Sequence, residues 1–167
     1  MKYAEDMRKF IRSSLFNLNS RVVLDAGCGN GLVTRLIKKQ HPKIKLIGID
    51  SDANDIKIAK RKERSENKGI NYFIGSLDKL PFPDSSFDLV VATLVFHHME
   101  PVTRKLTLKE FYRVLNSHGE IIILEGKGLV RNLVDMMENS GFRDIGKRKE
   151  GKIRNVYYGK KIQFLIP

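Results

Sequence analysis

Short apolar runs alternate with charged, helix-patterned stretches along this chain, and that alternation constrains its fold more than any other feature. Residues 22–26 (VVLDA), 44–50 (IKLIGID), 71–75 (NYFIG), 87–95 (FDLVVATLV) and 120–124 (EIIIL) are short, apolar and rich in β-branched residues, as buried strands are. After the first run, Leu32, Leu36 and Ile37 recur at helical spacing as far as His41-Pro42. There the residue before proline is pushed out of the helical region. Residues 54–68 are strongly charged, with Ile56, Ile58 and Ala59 as the apolar face, and Gly69 supplies a stop. Pro81 and Pro83 mark a loop, and Pro101 opens a helix with the stripe Leu106, Phe111, Val114 and Leu115. Asn116 to Gly119 closes that helix. A last helix over 129–140 stops at Gly141, and two strands around Gly151 end near Leu165.

Strands thus alternate with helices through five repeats, followed by a strand pair. Such alternation requires a mainly parallel sheet with helices on both faces. At 167 residues the chain is one domain. The expected architecture is α/β, a doubly wound, mainly parallel sheet in a single domain spanning residues 1–167.

Composition narrows the function classes. An apolar share of 41% with 30% charged residues describes a globular chain rather than a disordered one. No apolar run approaches the roughly 20 residues of a membrane-spanning helix. Residues 1–12 lack the apolar centre of a secretory signal, so a cytoplasmic location without a membrane partner is expected. The single cysteine, Cys28, excludes an internal disulfide and a thiolate cage. Of His41, His97, His98 and His118 only the middle pair are neighbours, so no metal is expected. A net charge of +12 favours anionic partners, nucleic acid among them. The basic residues divide almost evenly between the halves, with a denser tail (Arg143, Lys147, Arg148, Lys149, Lys152, Arg154, Lys160, Lys161). Solvated surface charge is the simpler reading.

The chemistry points to the end of the first strand, Asp25-Ala26-Gly27-Cys28-Gly29-Asn30-Gly31. In open parallel sheets ligands bind at the carboxyl ends of the strands, where strand order reverses. Glycines there let the backbone turn sharply and approach a ligand closely, and the following helix presents unpaired N–H groups. The spacing is G-x-G-x-G; a dinucleotide loop would need its third glycine where Leu32 stands. Asp50 ends the second strand, where a carboxylate can accept both ribose hydroxyls. Its alternative is a turn, and Ser51 or Asp52 could cap the next helix.

These residues resemble the class I S-adenosylmethionine-dependent methyltransferases, in particular their small-molecule group, over residues 20–125. VLDAGCGNG is similar to the first motif and LIGIDSD to the second. GSLDKLPFPDSSFDLVVATLVFHHM resembles the third and fourth, and EFYRVLNSHGEIIILE the helix and strand that follow. The resemblance implies seven strands with the last antiparallel, and S-adenosylmethionine laid across the strand ends, leaving S-adenosylhomocysteine as product. Gly27, Gly29 and Gly31 would contact the methionine part, with Cys28 as small filler and Asp25 ordering the loop. Asp50, with Ser51 beside it, would hold the ribose; Ser76 and Leu77 would face the adenine; Thr93 or Leu94 would line the methionine. Residues 1–18, with Met7, Phe10, Ile11 and Leu15 on one helical face, would form a helix capping this site, Tyr3 at its mouth; plain core packing is the alternative. Ser76 stands where the family usually has an acid, and His118-Gly119 where it has Pro-Gly. The segment that covers the substrate in many relatives is short here.

Methyl transfer is an in-line displacement that needs alignment and exclusion of water. A general base is needed only when the accepting atom carries a proton. The candidates are His97 and His98 after the fourth strand and Glu125 after the fifth; packing and helix capping are their bland readings. Transfer to a small-molecule acceptor is the expected function. An RNA methyltransferase is the alternative that the charge raises. However, Ala92-Thr93-Leu94-Val95 replaces the Asn/Asp-Pro-Pro-aromatic signature of base amino methylation, and no Pro-Cys pair occurs. A cofactor-binding, non-catalytic partner subunit is the third reading. The oligomeric state is left open.

Overall fold

The computed structural model describes residues 2–15, 18, 21–151 and 154–162. In chain order its elements are α1 (Lys2–Ser14), β1 (Val22–Ala26), α2 (Leu32–Gln40), β2 (Lys45–Asp50), α3 (Ala53–Glu66), β3 (Ile70–Ile74) and β4 (Phe87–Thr93). A short helical turn (Phe96–His98) follows, then α4 (Pro101–Val114), β5 (Leu115–Gly126), α5 (Leu133–Asn139), β6 (Arg143–Glu150) and β7 (Arg154–Lys160). The strands form one seven-stranded sheet in the order β3-β2-β1-β4-β5-β7-β6. β1 to β5 pair in parallel, and β7 is antiparallel to both neighbours. The expected doubly wound sheet is the fold observed, and its strand order reverses between β1 and β4.

Alternation along the central strands builds a core on each face. Leu24, Ala26, Val90, Ala92, Ile121 and Ile123 point to α4 and α5, where Leu108, Phe111, Leu133 and Met137 meet them. Val23, Leu89, Val91 and Leu124 point the other way, to α1, α2 and α3. Met7, Phe10, Ile11 and Leu15 are all fully buried in that second core, so α1 is integral to the fold. Arg154 bridges α1 to β7 through Asp6 at 3.0 Å.

β3 and β4 are joined by the loop expected at Pro81 and Pro83, so the alternation of strand and helix is interrupted there, and the bounds of β5 and α5 differ from the sequence expectation. Phe82 is wedged between Phe73 and Phe87 in edge-to-face contacts, and Arg113 of α4 pins the loop by donating to the carbonyls of Leu80 and Phe82 and to Asp84. β5 starts at Leu115, because Leu115 pairs with Phe87 and the turn-like residues before Glu120 become an irregularity inside the strand. α5 begins only at Leu133, after Asn132 in the left-handed region. Phe16 and the expected end of β7 near Leu165 lie outside the described residues. No helix among the described residues is long and apolar enough to cross a membrane.

The dense basic tail acquires a structural account. Arg143, Lys147, Arg148 and Lys149 lie on β6, the edge strand of the sheet, where charge discourages strand addition. Arg113→Ala removes three anchors of the β3–β4 loop and leaves Glu110 without its guanidinium. A loss of about 1–3 kcal/mol is expected in urea denaturation, with the two-state slope unchanged.

Candidate functional site

The site lies at the carboxyl ends of β1, β2 and β4, at the reversal of strand order. The backbone leaves β1 with the N–H groups of Gly27 and Cys28 both donating to the Ile49 carbonyl, at 2.8 and 3.0 Å. Gly27 then adopts φ +77°, and a Cβ there would stand 2.3 Å from Val95 Cγ2. Gly31 adopts φ +75°, with the Tyr72 hydroxyl 2.6 Å from where its Cβ would be. Both positions therefore demand glycine on conformation and on space. Gly31 brings no side chain to the start of α2, so the first N–H groups of that helix face the loop.

Two carboxylates frame the loop. Asp50 accepts from Gly29 N through Oδ2 at 2.8 Å and from Asp52 N through Oδ1 at 2.9 Å. Asp52, not Asp50 or Ser51, caps α3 by accepting from the N–H groups of Asn54 and Asp55. Asp50 is thus committed to the loop, and each of its oxygens keeps a lone pair for a further donor. Ser51 beside it is exposed. Asp25 is fully buried; its Oδ2 accepts from Thr34 Oγ1 at 2.6 Å, and its Oδ1 has no partner among the described residues. Burial, and secondarily the Asp50 charge, pushes its carboxyl up to about 6 against the relief from Thr34. Cys28 is also buried, and burial together with the Asp25 and Asp50 charges pushes its thiol well above the usual range, so it fills space as an inert thiol.

Beyond the loop, Ser76 is exposed and its hydroxyl donates to Asp78, which brings a carboxylate beside the serine. Leu77 turns its side chain into the core against Ile49 and Leu80, leaving Ser76, Asp78 and the backbone to face outward. Thr93 ends β4 almost buried, and Leu94 turns the chain at φ +58° while donating to the Leu124 carbonyl. A branched residue in that region is uncommon and strained, a condition that clusters at functional sites. Val95 then lies against Gly27, and the His97 and His98 rings adjoin at a tilt of 41°, with centroids 3.9 Å apart.

Glu125 is fully buried at the end of β5. Its Oε1 accepts from the N–H groups of Val95 and Phe96 at 2.8 and 2.7 Å, and its Oε2 lies 2.9 Å from His97 Nδ1. Among the sequence candidates, His97 and Glu125 are brought together, whereas His98 has no contact with that carboxylate. Tyr3, half-exposed on α1, is close enough to Asp25 for that charge to raise its phenol, after burial as the main cause. Sequence reasoning missed Thr34, Tyr72 and Val95. A threonine among the apolar residues of α2 was the one available signal; the other contacts are long-range. A cavity of about 600 Å³ lies at the other end of the sheet, between Arg21, Glu120, Arg148 and Lys160. That is the amino end of the parallel strands, away from the strand reversal where such sheets bind ligands.

The family model for the methyltransferase domain matches residues 24–123, which contain the loop, both carboxylates and the β4 turn. The chain belongs to this methyltransferase domain family. The domain is 31% identical over 118 residues to the demethylmenaquinone methyltransferase of Thermotoga maritima, covering 71% of this chain and 49% of that protein. It thus spans about half the length of the curated relatives it matches. Among solved structures, a SAM-dependent methyltransferase from Aquifex aeolicus superposes with a TM-score of 0.81 at 23% identity, covering 94% of this chain and 90% of that one. The [4+2]-cyclase SpnF superposes with 0.83 at 15% identity, covering 96% and 81%. These likenesses show the fold, and the second carries a different activity by name, so the chemistry is argued from the site.

A carboxyl raised to about 6 favours the protonated form in the folded domain, so stability is lost as pH rises from the ordinary carboxylate range, ~4, to about 6, and the full cost is present above that. Asp25→Asn is expected to raise the melting temperature near pH ~7.5, by a gain of at most about 3 kcal/mol. The gain should shrink as pH falls below about 6 and vanish near pH ~3, where Asp25 is protonated in the folded and the unfolded chain alike. Equal effects at both pH values would exclude a buried charge.

Proposed function

We propose that this domain is an S-adenosylmethionine-dependent methyltransferase that acts on a small-molecule acceptor. The observation that carries the reading is the Asp25 Oδ1 atom, a buried carboxylate oxygen without a partner beneath a loop of glycines. Buried charge without compensation is costly, and a bound cation relieves it. S-adenosylmethionine brings an ammonium group and a sulfonium, and it supplies the electrophilic methyl when bound.

The domain's own residues then divide the work. Gly27, Gly29 and Gly31, with Cys28 kept small, admit the amino-acid part, and Asp25 faces its positive charge. Asp50 uses its remaining lone pairs for the ribose hydroxyls, with Ser51 at its side. Ser76, paired with Asp78, takes the adenine edge, and Leu77 supports that loop from the core. Thr93 and Leu94 border the methionine chain, and α1 covers the site from the side of Tyr3. The Thermotoga relative is named for a demethylmenaquinone, which supports an organic acceptor over a macromolecular one.

Calorimetric titration of the purified domain with S-adenosylmethionine and with S-adenosylhomocysteine tests the reading. Both should bind in the micromolar range, on the order of −8 kcal/mol. Asp50→Ala should weaken both at least about tenfold, because it removes the ribose acceptor and the anchor of Gly29 together. Absence of binding by either ligand refutes the proposal.

A further inference from the structure

The geometry points to His97, held by Glu125, as the proton acceptor of the transfer, and hence to an acceptor that presents a phenolic or enolic hydroxyl. This inference rests on the reading of the domain as a methyltransferase. Glu125 does more than close a turn. Its Oε1 already satisfies both backbone donors of that turn, Val95 N and Phe96 N. A neutral glutamine would serve that purpose equally well. The second oxygen, 2.9 Å from His97 Nδ1, requires a different account, because among the described residues His97 is the ion-pair partner recorded for this fully buried carboxylate.

A carboxylate can only accept, so a neutral His97 keeps its proton on Nδ1 and presents the Nε2 lone pair. When Nε2 takes a proton, the imidazolium so formed lies directly against the buried carboxylate, which stabilises it. The side chain is 23% exposed, and the His98 ring lies beside it, tilted by 41° with its centroid 3.9 Å away. Its position is suitable as well. The turn that carries it begins at strained Leu94, passes Val95 packed on Gly27, and reaches His97 two residues later. The base therefore sits two residues beyond the contact of Val95 with the loop proposed for the methyl donor, next to the end of β5.

The step balances without a further reactant. The acceptor hydroxyl gives its proton to Nε2, and its oxygen, or the ring carbon conjugated with it, forms the new bond to the methyl. The sulfur–methyl bond breaks with its electron pair remaining on sulfur, which becomes the thioether of S-adenosylhomocysteine. His97 then releases the proton to water; on the carbon route the ring proton leaves afterwards. A hydroxyl must lose its proton for its oxygen, or the carbon conjugated with it, to become a strong nucleophile, and a dyad of this kind is suited to take it.

The test uses Glu125→Gln and His97→Asn. Glu125→Gln keeps the oxygen that caps the turn but offers an amide N–H to Nδ1. His97→Asn keeps a donor to Glu125 but has no Nε2. Three measurements are made on each protein: calorimetric binding of S-adenosylhomocysteine, the histidine tautomers by long-range proton–nitrogen NMR, and mass-spectrometric methylation of a dihydroxynaphthalene by S-adenosylmethionine. The wild type should show His97 protonated on Nδ1, and Glu125→Gln should move that proton to Nε2. The value of kcat should fall at least about 100-fold in His97→Asn and about tenfold in Glu125→Gln, with KM for the donor and product binding unchanged. A wild-type His97 protonated on Nε2, or kcat within a few-fold in both variants, overturns the inference. Product binding by a wild type that leaves the probe unmethylated overturns the hydroxyl class. Failure to bind S-adenosylhomocysteine overturns the methyltransferase reading itself.

Discussion

β1 is paired with β2 along one edge and β4 along the other, with helices packed over both of its faces. A strand enclosed in this way has no freedom to slip, since a shift of one residue would carry Leu24 and Ala26 out of one core and Val23 out of the other. Its last polar residue, Asp25, is consequently held inside the protein, and the chain can leave only upward through the turn at Gly27. The glycine loop, the start of α2 and the approach of Val95 all inherit their positions from that enclosure. The candidate site is the place where this central, doubly covered strand runs out of partners.

The two carboxylates of the site perform different tasks because their surroundings differ. Asp50 is spent on backbone donors of the loop and of the α3 turn, so it shapes the cradle as it faces it. Asp25 has one hydroxyl partner and an oxygen with none among the described residues, so its burial carries an electrostatic cost. Glu125 is, with Asp25, one of two buried carboxylates, and it is satisfied by two amides and an imidazole from the turn after β4. All three acids end strands of the parallel set, where the side chains leave the core and meet the loops.

The loop between β3 and β4 shows how a departure from regular winding is maintained. Without a crossover helix, that connection has few backbone partners of its own. Phe82 anchors it by edge-to-face contacts, and Arg113, presented from α4, replaces the missing backbone bonds with a guanidinium fork. The LPFPDSSF stretch and the arginine of RVL are thus two halves of one contact, 29 residues apart for Arg113 and Asp84.

The layered α/β class, the parallel sheet and the place of the glycine loop were legible because they rest on local patterns. Apolar periodicity, a proline before a helix and glycines after a strand act over a few residues. The acids Asp25 and Asp50 were legible for the same reason, as strand-ending carboxylates beside those glycines. The extension of β5 back to Leu115 was not, because it depends on pairing with Phe87 across the sheet. Likewise, no spacing could reveal that Asp25 has one oxygen unpaired, that Val95 closes over Gly27, or that Glu125 belongs to His97 and not to His98. Those are meetings of side chains far apart in the chain, set by which strands lie side by side and which way each side chain points. The sequence by itself determined what kinds of element this protein builds and which chemical groups stand at their ends. Only the tertiary structure decided which of those groups touch, since contact, burial and charge are properties of the packed sheet and not of the order of residues.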